Sequence, residues 1–150
     1  MTGLLCVVVL LGSGITLGVF FAVAVSVAPA LATLPPPQYV QTHRLLGRGY
    51  HPAMPIITNV TTVTGILLAI VADEPAAKVL FAAGVLLVIG VQAVSHLGNV
   101  PINRSLRGFD GATPPGWVDP RPQWRAWHLL RTALATALLL VNAIAVIAAN

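Results

Sequence analysis

The chain has 150 residues, of which 57% are hydrophobic and only 8% are charged. With a mean hydropathy of +0.87 it is too apolar for an ordinary soluble domain, so the composition indicates a membrane protein. The net charge of +4 comes mainly from arginine. Arginines beside membrane spans usually set topology and contact lipid headgroups, so we expect membrane lipids and no nucleic acid among the partners.

Four apolar stretches are long enough to cross a bilayer, since a spanning helix needs about 20 mostly apolar residues. They cover approximately residues 4–31, 54–72, 76–97 and 129–149. The remaining residues are too few for a separate soluble domain. The sequence therefore predicts a single transmembrane domain over residues 1–150, an all-α integral membrane four-helix bundle with two long loops and one tight turn at 72–75.

The first span ends in "APALA", which looks like a small-residue signal cleavage site. No Lys or Arg precedes the apolar run, and the run is longer than the apolar region of a signal peptide, so we expect a retained helix.

Basic residues lie mostly in or beside the two long loops. They are Arg44, Arg48, Arg104, Arg107, Arg121, Arg125 and Arg131. Only Lys78 lies on the other side, next to Asp73 and Glu74. The positive-inside rule then places both long loops in the cytoplasm and both termini outside. The low lysine and high arginine and alanine content is typical of a GC-rich bacterial genome, so we expect the bacterial inner membrane.

The third span and the residues after it carry a polar stripe at spacings of 4, 3 and 4. Its members are Gln92, His96, Asn99 and Asn103. At about 100° per residue they fall within an arc of roughly 60°. Polar groups in spans usually face the bundle interior, so the stripe is predicted to face a pocket. Alternatively, Pro101 bends the helix and the Asn103 amide satisfies local backbone groups.

The fourth span opens with "QWRAWHLLRT". Its tryptophans are typical of an aromatic belt, but Trp124, Trp127 and Arg131 also share one face. Such a face favours a pocket wall with flat aromatic surfaces and a guanidinium that binds an anionic oxygen. In the second span, the Asn59 amide has more donors and acceptors than its own helix can satisfy, so we expect a partner from another span.

Three segments together, "FFAVAVSVAPAL", "NVPINRSL" and "WRAWHLLRT", resemble the anthrone oxygenase-like family of small four-span membrane proteins. The family pattern couples an Asn-x-Pro-x-Asn segment to a later Trp and Arg. The best matched positions are Pro29, Asn99, Pro101, Asn103, Trp127 and Arg131. Family members often carry Asn-His after the tryptophan, where this chain has His128 and Leu129. The resemblance implies a polyketide-tailoring oxygenase that converts an anthrone to an anthraquinone without an evident metal or organic cofactor.

This expected reaction needs a base, an oxyanion stabiliser and a flat apolar slot for a lipophilic aromatic substrate and O2. The expected catalytic residues are His96, as the base, and Asn99, Asn103 and Arg131 as stabilisers of the enolate oxygen. The expected substrate-binding residues are Gln92, Asn59, Trp124, Trp127, His128 and His51. His43 lies beside Arg44 in a predicted loop, where we expect solvation.

Other classes of function fit the residues less well. A di-iron carboxylate site is excluded because the four acidic residues all lie in predicted loops or turns. A haem between His96 and His128, or a copper site using histidines, has no recognisable ligand spacing, so neither a cofactor nor a metal is expected. A non-oxidative cyclase or isomerase, a non-catalytic accessory or transport protein, and a homo-oligomer all remain open alternatives.

Overall fold

The computed structural model describes residues 2–108 and 116–149, which fold into five helices. The helices are α1 (Thr2–Ala32), α2 (Pro36–Gly49), α3 (Ala53–Val71), α4 (Pro75–Gly108) and α5 (Arg121–Ala148). All except α2 are long and apolar enough to cross a membrane. No strand occurs in the described residues, and the all-α membrane bundle predicted from the sequence is confirmed.

The first long loop of the prediction contains a helix that the sequence analysis did not foresee. Residues 36–49 form α2, which buries Tyr39, Val40 and His43 on one face and exposes Leu45 and Leu46. The helix is amphipathic and shorter than a span, so a search for long apolar runs does not detect it. The expectation that His43 is solvated in a loop is wrong, because His43 lies in α2 and only 7% of its surface is exposed.

Prolines mark the beginnings of several helices. Pro36, Pro75 and Pro122 lie in the first turns of α2, α4 and α5. Proline is tolerated there because the first N–H groups of a helix have no acceptor within it. The turn between α3 and α4 lies where it was predicted, since α3 ends at Val71 and α4 begins at Pro75.

Two helices are longer than the apolar runs that predicted them. The segment "NVPINRSL" does not leave the helix, because α4 continues through it to Gly108. In the same way α5 begins at Arg121, well before the apolar run that starts near residue 129. The added turns are rich in arginine and polar residues, so hydropathy alone ends both helices too early.

The four spans pack as a bundle in which α4 and α5 share the most extensive interface. Helix α1 packs against α3 and α5, and α3 packs against α4. At the end remote from α2 the core is apolar, formed by Cys6, Val9, Leu68, Ala72, Ala77, Phe81 and Ala145. Small residues allow the helices to pack closely, since Gly12 of α1 lies against Thr61 of α3 and Gly84 of α4 lies against Asn142 of α5.

Helices α1 and α4 each contain a five-residue π-helical segment, Val23–Val27 and Ser95–Asn99. In both, the N–H that follows the segment bonds to the carbonyl five residues back, and the next residue is a proline, Pro29 or Pro101. Because proline has no N–H, regular bonding cannot continue through it, and the wider turn accommodates the break. Residues of both segments line the cavity described next.

Candidate active site

A cavity of about 340 Å³ opens at the end of the bundle that carries α2. All five helices line it. Its buried wall includes Phe20, Val23, His43, Thr58, Val91 and Trp124. Its exposed rim includes Tyr50, His51, Asn59, His96 and Arg107. The volume lies in the range of about 300–1,000 Å³ that is usual for small-molecule sites.

Asn103 in α4 connects α2 to α5 at the cavity wall. Its Oδ1 lies 2.9 Å from His43 Nε2 and 2.9 Å from Trp124 Nε1. An indole N–H only donates, so the amide oxygen is the acceptor of both bonds. The Asn103 side chain therefore joins two other helices, and the alternative in which its oxygen satisfies only its own helix does not describe this structure.

The bond to Asn103 also fixes the tautomer of neutral His43. Because the amide oxygen only accepts, His43 Nε2 carries the proton and the lone pair lies on Nδ1. Burial lowers the pKa of His43 from its ordinary value of 6.5; the Asn103 hydrogen bond partly opposes this shift, and the charge of Arg131 adds to it. At neutral pH His43 is therefore an uncharged imidazole whose Nδ1 can accept a proton.

Arg131 in α5 also lines the cavity, and His128, one turn earlier, holds its guanidinium in place. Arg131 Nε and Nη2 lie 3.0 and 2.8 Å from His128 Nδ1, and Nη1 lies 3.4 Å from Ser95 Oγ. His128 Nε2 donates to the backbone carbonyl of Phe20 at 2.9 Å. Both ring nitrogens of His128 are thus engaged, so this residue orients Arg131.

The charge of Arg131 has no carboxylate partner among the residues that the structure describes. The ion pair formed within residues 2–108 and 116–149 joins Arg121 to Asp119 at 2.7 Å. Instead, Arg131 Cζ lies 4.5 Å from the ring centre of Phe20 and 5.9 Å from that of Trp124. A half-buried guanidinium between aromatic rings attracts an anionic oxygen.

Aromatic rings pack against one another beside these polar groups, with Phe20, His43 and Trp124 lining the cavity and His128 buried behind them. Trp124 stacks on the His128 imidazole with centroids 5.1 Å apart and an interplanar angle of 3°. His43 meets Trp124 edge-on at 5.1 Å, and Phe20 meets His128 edge-on at 5.8 Å. Fixed rings of this kind offer flat surfaces to a flat aromatic ligand.

Several residues expected to bind substrate lie at the rim. Gln92 Nε2 donates to Asn59 Oδ1 at 3.0 Å, which confirms the prediction that Asn59 finds a partner on another span. His51 and His96 also line the cavity, and both are exposed. His96, expected as the base, therefore lies in the outer part of the cavity, whereas His43 is buried in its wall.

Asn99 and Trp127 do not line the cavity but lie behind its wall. Asn99 is fully buried, and its Nδ2 donates to the backbone carbonyl of Trp124 at 3.0 Å. Trp127 packs directly on Gly98, where any Cβ would overlap the indole. The π-helical segment explains the difference from the predicted stripe, because a wider turn does not keep the 100° spacing on which that stripe was based.

A second polar cluster fastens α2 at the beginning of α5. Arg121 pairs with Asp119 and donates to the carbonyls of Ala32 and Leu34 at 3.2 and 2.8 Å. Its Cζ lies 5.1 Å from the ring centre of Tyr39. Arg121 holds the pKa of the Asp119 carboxyl below its usual range, and burial raises the pKa of Tyr39 to about 12. The carboxylate therefore stays charged and the phenol neutral at physiological pH.

Sequence reasoning missed several polar or aromatic residues that line the cavity, among them His43, Ser95 and Phe20. The signal for His43 was present, because Tyr39, Val40 and His43 repeat on one face of an amphipathic helix. Ser95 and Phe20 carried no signal, since a serine or phenylalanine within an apolar run is ordinary. Their roles come from the packing of α1 and α4 around Arg131.

Metal-ligand geometry does not connect the histidines. Among the described residues, no group of three or more His, Cys, Asp or Glu side chains is close enough to hold a metal ion. His128 has both nitrogens engaged, so the pairing of His96 with His128 as haem ligands would need the Arg131 contact to break.

No curated protein and no solved structure matches this chain. The family model of the anthrone oxygenases matches residues 43–141. The matched range begins at His43 and extends past Arg131, so it contains the contacts of Asn103 with His43 and Trp124 and the contact of Arg131 with His128. The resemblance seen in the sequence is confirmed, and it supports an oxygenase-like role. The chain belongs to the anthrone oxygenase family.

Proposed function

We propose that this protein is a membrane-embedded tailoring oxygenase that oxidises an aromatic, polyketide-type substrate with O2 and without a resident cofactor. One observation carries the proposal. A single cavity brings together a neutral histidine with a defined basic nitrogen, a guanidinium without a carboxylate partner among the described residues, and an aromatic wall.

The first step is proton abstraction. An anthrone has an acidic C–H between two rings that are conjugated with its carbonyl, and His43 Nδ1 takes this proton. Asn103 holds the imidazole by its Nε2–H, so the base is His43 rather than the His96 expected from the sequence. A positioned general base typically contributes about 10²–10⁴-fold to the rate.

Loss of the proton leaves an anion whose charge resides largely on the former carbonyl oxygen. Arg131, oriented by His128 and Ser95, stabilises that oxygen. Preorganised donors of this kind are commonly worth about 10²–10³-fold. The aromatic wall holds the planar anion and keeps bulk water from its face.

The electron-rich anion then reacts with O2. One electron passes to O2, and the resulting carbon radical and superoxide form a C–O bond. The peroxide takes up the proton held by His43, and loss of water produces the second carbonyl. In sum, anthrone and O2 give anthraquinone and water: two C–H bonds break, one oxygen atom enters the product and the other leaves in water.

The membrane setting supports a lipophilic substrate. The arginine distribution favours the α2 end on the cytoplasmic side of a bacterial inner membrane, where substrate enters the cavity from the inner leaflet or the cytoplasm. The proposed partners are the aromatic substrate, O2 and membrane lipids, in a monomer or a homo-oligomer.

The test is dioxygen uptake with an anthrone by purified protein of known metal content in detergent. We compare wild type with Arg131→Ala and, as a matched control, Arg125→Ala, which is exposed on α5 and does not line this cavity. We expect wild type to take up O2 above the spontaneous rate and to form one anthraquinone for each O2 consumed. The rate of uptake should fall about 10²-fold in Arg131→Ala and stay unchanged in Arg125→Ala.

Folded wild-type protein that does not accelerate uptake contradicts the oxygenase. A non-oxidative cyclase or isomerase is the second candidate, because the same base and guanidinium suffice for enolisation. Catalysed proton exchange without any oxygen uptake would favour it.

A further inference from the structure

Two arginines of the described residues line the cavity, and the chemistry proposed above uses only one. Arg131 is half-buried in the aromatic wall, whereas Arg107, in the last turn of α4, is exposed at the rim. Ser95, which contacts Arg131, lies on the same helix as Arg107 and roughly 18 Å from it along the axis at about 1.5 Å per residue. A polycyclic ligand and an extended arginine side chain together bridge such a separation.

The charged side chains that line the cavity are cationic. The lining contains these two arginines and the side chains of His43, His51 and His96, and no Asp or Glu from the described part of the chain. A concave site with cationic groups and no carboxylate concentrates anions. A substrate with one developing enolate needs one cation, so the second cation at the rim matches a second anionic group on the same molecule.

We propose that the substrate is a polycyclic aromatic acid, bound with its reactive carbonyl oxygen at Arg131 and a carboxylate on an outer ring at Arg107. This inference rests on the proposed function, since it assumes that the cavity is the substrate site. Arginine and carboxylate form paired hydrogen bonds, which also set the direction in which the ring system enters.

Arg104 provides a control for the alternative that Arg107 acts only on lipid headgroups. Both arginines are exposed on α4, but Arg107 lines the cavity and Arg104 does not. A general effect of positive charge at this membrane surface must therefore appear equally when either residue is replaced. Binding inside the cavity depends on Arg107 alone.

The experiment measures quenching of tryptophan fluorescence in detergent by anthraquinone-2-carboxylate and by its neutral counterpart, 2-(hydroxymethyl)anthraquinone. Neither probe has the C–H that the reaction consumes, so binding is read without turnover. We expect wild type to bind the carboxylate about tenfold more tightly than the neutral probe. Arg107→Ala should lose this preference while it binds the neutral probe as before, and Arg104→Ala should keep the preference.

Equal affinity of wild type for both probes overturns the inference, and so does an equal loss of preference in both variants. Binding of neither probe overturns it as well. In each case the oxygen-uptake assay with a neutral anthrone decides separately whether the proposed function stands.

Discussion

Two asparagines inside the spans show how differently the two ends of the bundle use a polar side chain. Asn142 is 1% exposed, donates to Ser13 Oγ at 2.9 Å, and fills the space over Gly84. Asn103 lies on a cavity wall and accepts bonds from His43 and Trp124. Both amides satisfy a neighbour, but only Asn103 does so next to open volume.

A polar residue within a membrane span is therefore not by itself evidence of a catalytic or binding site. Asn142 closes a packed contact between α5, α1 and α4, where its Nδ2 donates to Ser13 Oγ and its amide lies over Gly84. Asn103 bonds to His43, the proposed base, beside Arg131, whose guanidinium has no carboxylate partner among the described residues. Function is expected where a polar contact, a cavity and an uncompensated charge occur together.

The largest expected effect follows from replacing the base at the cavity end. His43→Gln keeps a side-chain N–H for Asn103 but has no basic nitrogen, so we expect kcat for anthrone-dependent oxygen uptake to fall about 10³-fold. Gln41→Ala, which is exposed on the same helix and does not line the cavity, is the control, and its kcat should stay within about threefold of wild type. An unchanged rate in His43→Gln would move the base to another residue, with His96 the first to examine.

A smaller loss is expected from removing one of the two bonds to Asn103. Trp124→Phe keeps an aromatic ring but no N–H, so Asn103 loses a donor and holds His43 less firmly. We expect kcat to fall about tenfold, with the melting temperature monitored in parallel. If kcat is unchanged in a folded variant, the Trp124 bond does not position the base.

The cavity end should also respond to pH. Burial lowers the pKa of His43 below 6.5, and protonated His43 cannot act as a base. The acid limb of kcat/KM should therefore lie below pH 6.5, with full activity above it and loss as pH falls through the lowered pKa. Because the pKa of His43 is lower in the folded protein, neutral His43 contributes fully to the free energy of unfolding above pH 6.5. This contribution is lost as the pH falls through the lowered pKa.

Asn103→Asp sharpens this prediction, because a carboxylate at that position favours the imidazolium. The acid limb should move to higher pH, because the carboxylate stabilises the protonated imidazole. An acid limb that is the same in wild type and Asn103→Asp would show that His43 does not control it.

The smallest effect on activity is expected at the packed end. A Cβ added in Gly84→Ala would overlap the Asn142 amide, so we expect a loss of about 1–3 kcal/mol in unfolding free energy and little change in kcat at permissive temperature. Gly14→Ala is the matched control, since a Cβ there meets nothing within 4 Å. A large loss of kcat in folded Gly84→Ala would mean that the two ends are coupled.

Much of the fold was accessible from the sequence, and the physical reason is hydropathy. Long apolar runs in a bilayer must be helical, so the four spans followed directly. Helix α2 did not follow, because its apolar face is short and is covered by the bundle rather than by lipid. The apolar run predicts that the third span ends near residue 97, whereas α4 continues to Gly108, because the π-helical segment accommodates Pro101 without ending the helix.

The site was predictable in its residue types but not in its arrangement. Asn103, Arg131 and Trp124 were recognised as a pocket, and the structure brings them to one cavity. The amphipathic pattern of α2 indicates that His43 lies on a buried face, but it does not show that this face folds back onto α4 at the cavity. Asn99 was placed on the cavity stripe because a regular helical spacing was assumed across Ser95–Asn99.

The most direct test of the central claim separates proton abstraction from oxidation. Anthrone is incubated with the protein in D2O without oxygen, and deuterium entry at its methylene carbon is followed by mass spectrometry. We expect wild type and Gly84→Ala to exchange deuterium faster than buffer alone, and His43→Gln to exchange at the rate of buffer. Exchange that is equally fast in wild type and His43→Gln, or that wild type does not accelerate at all, would contradict the central claim.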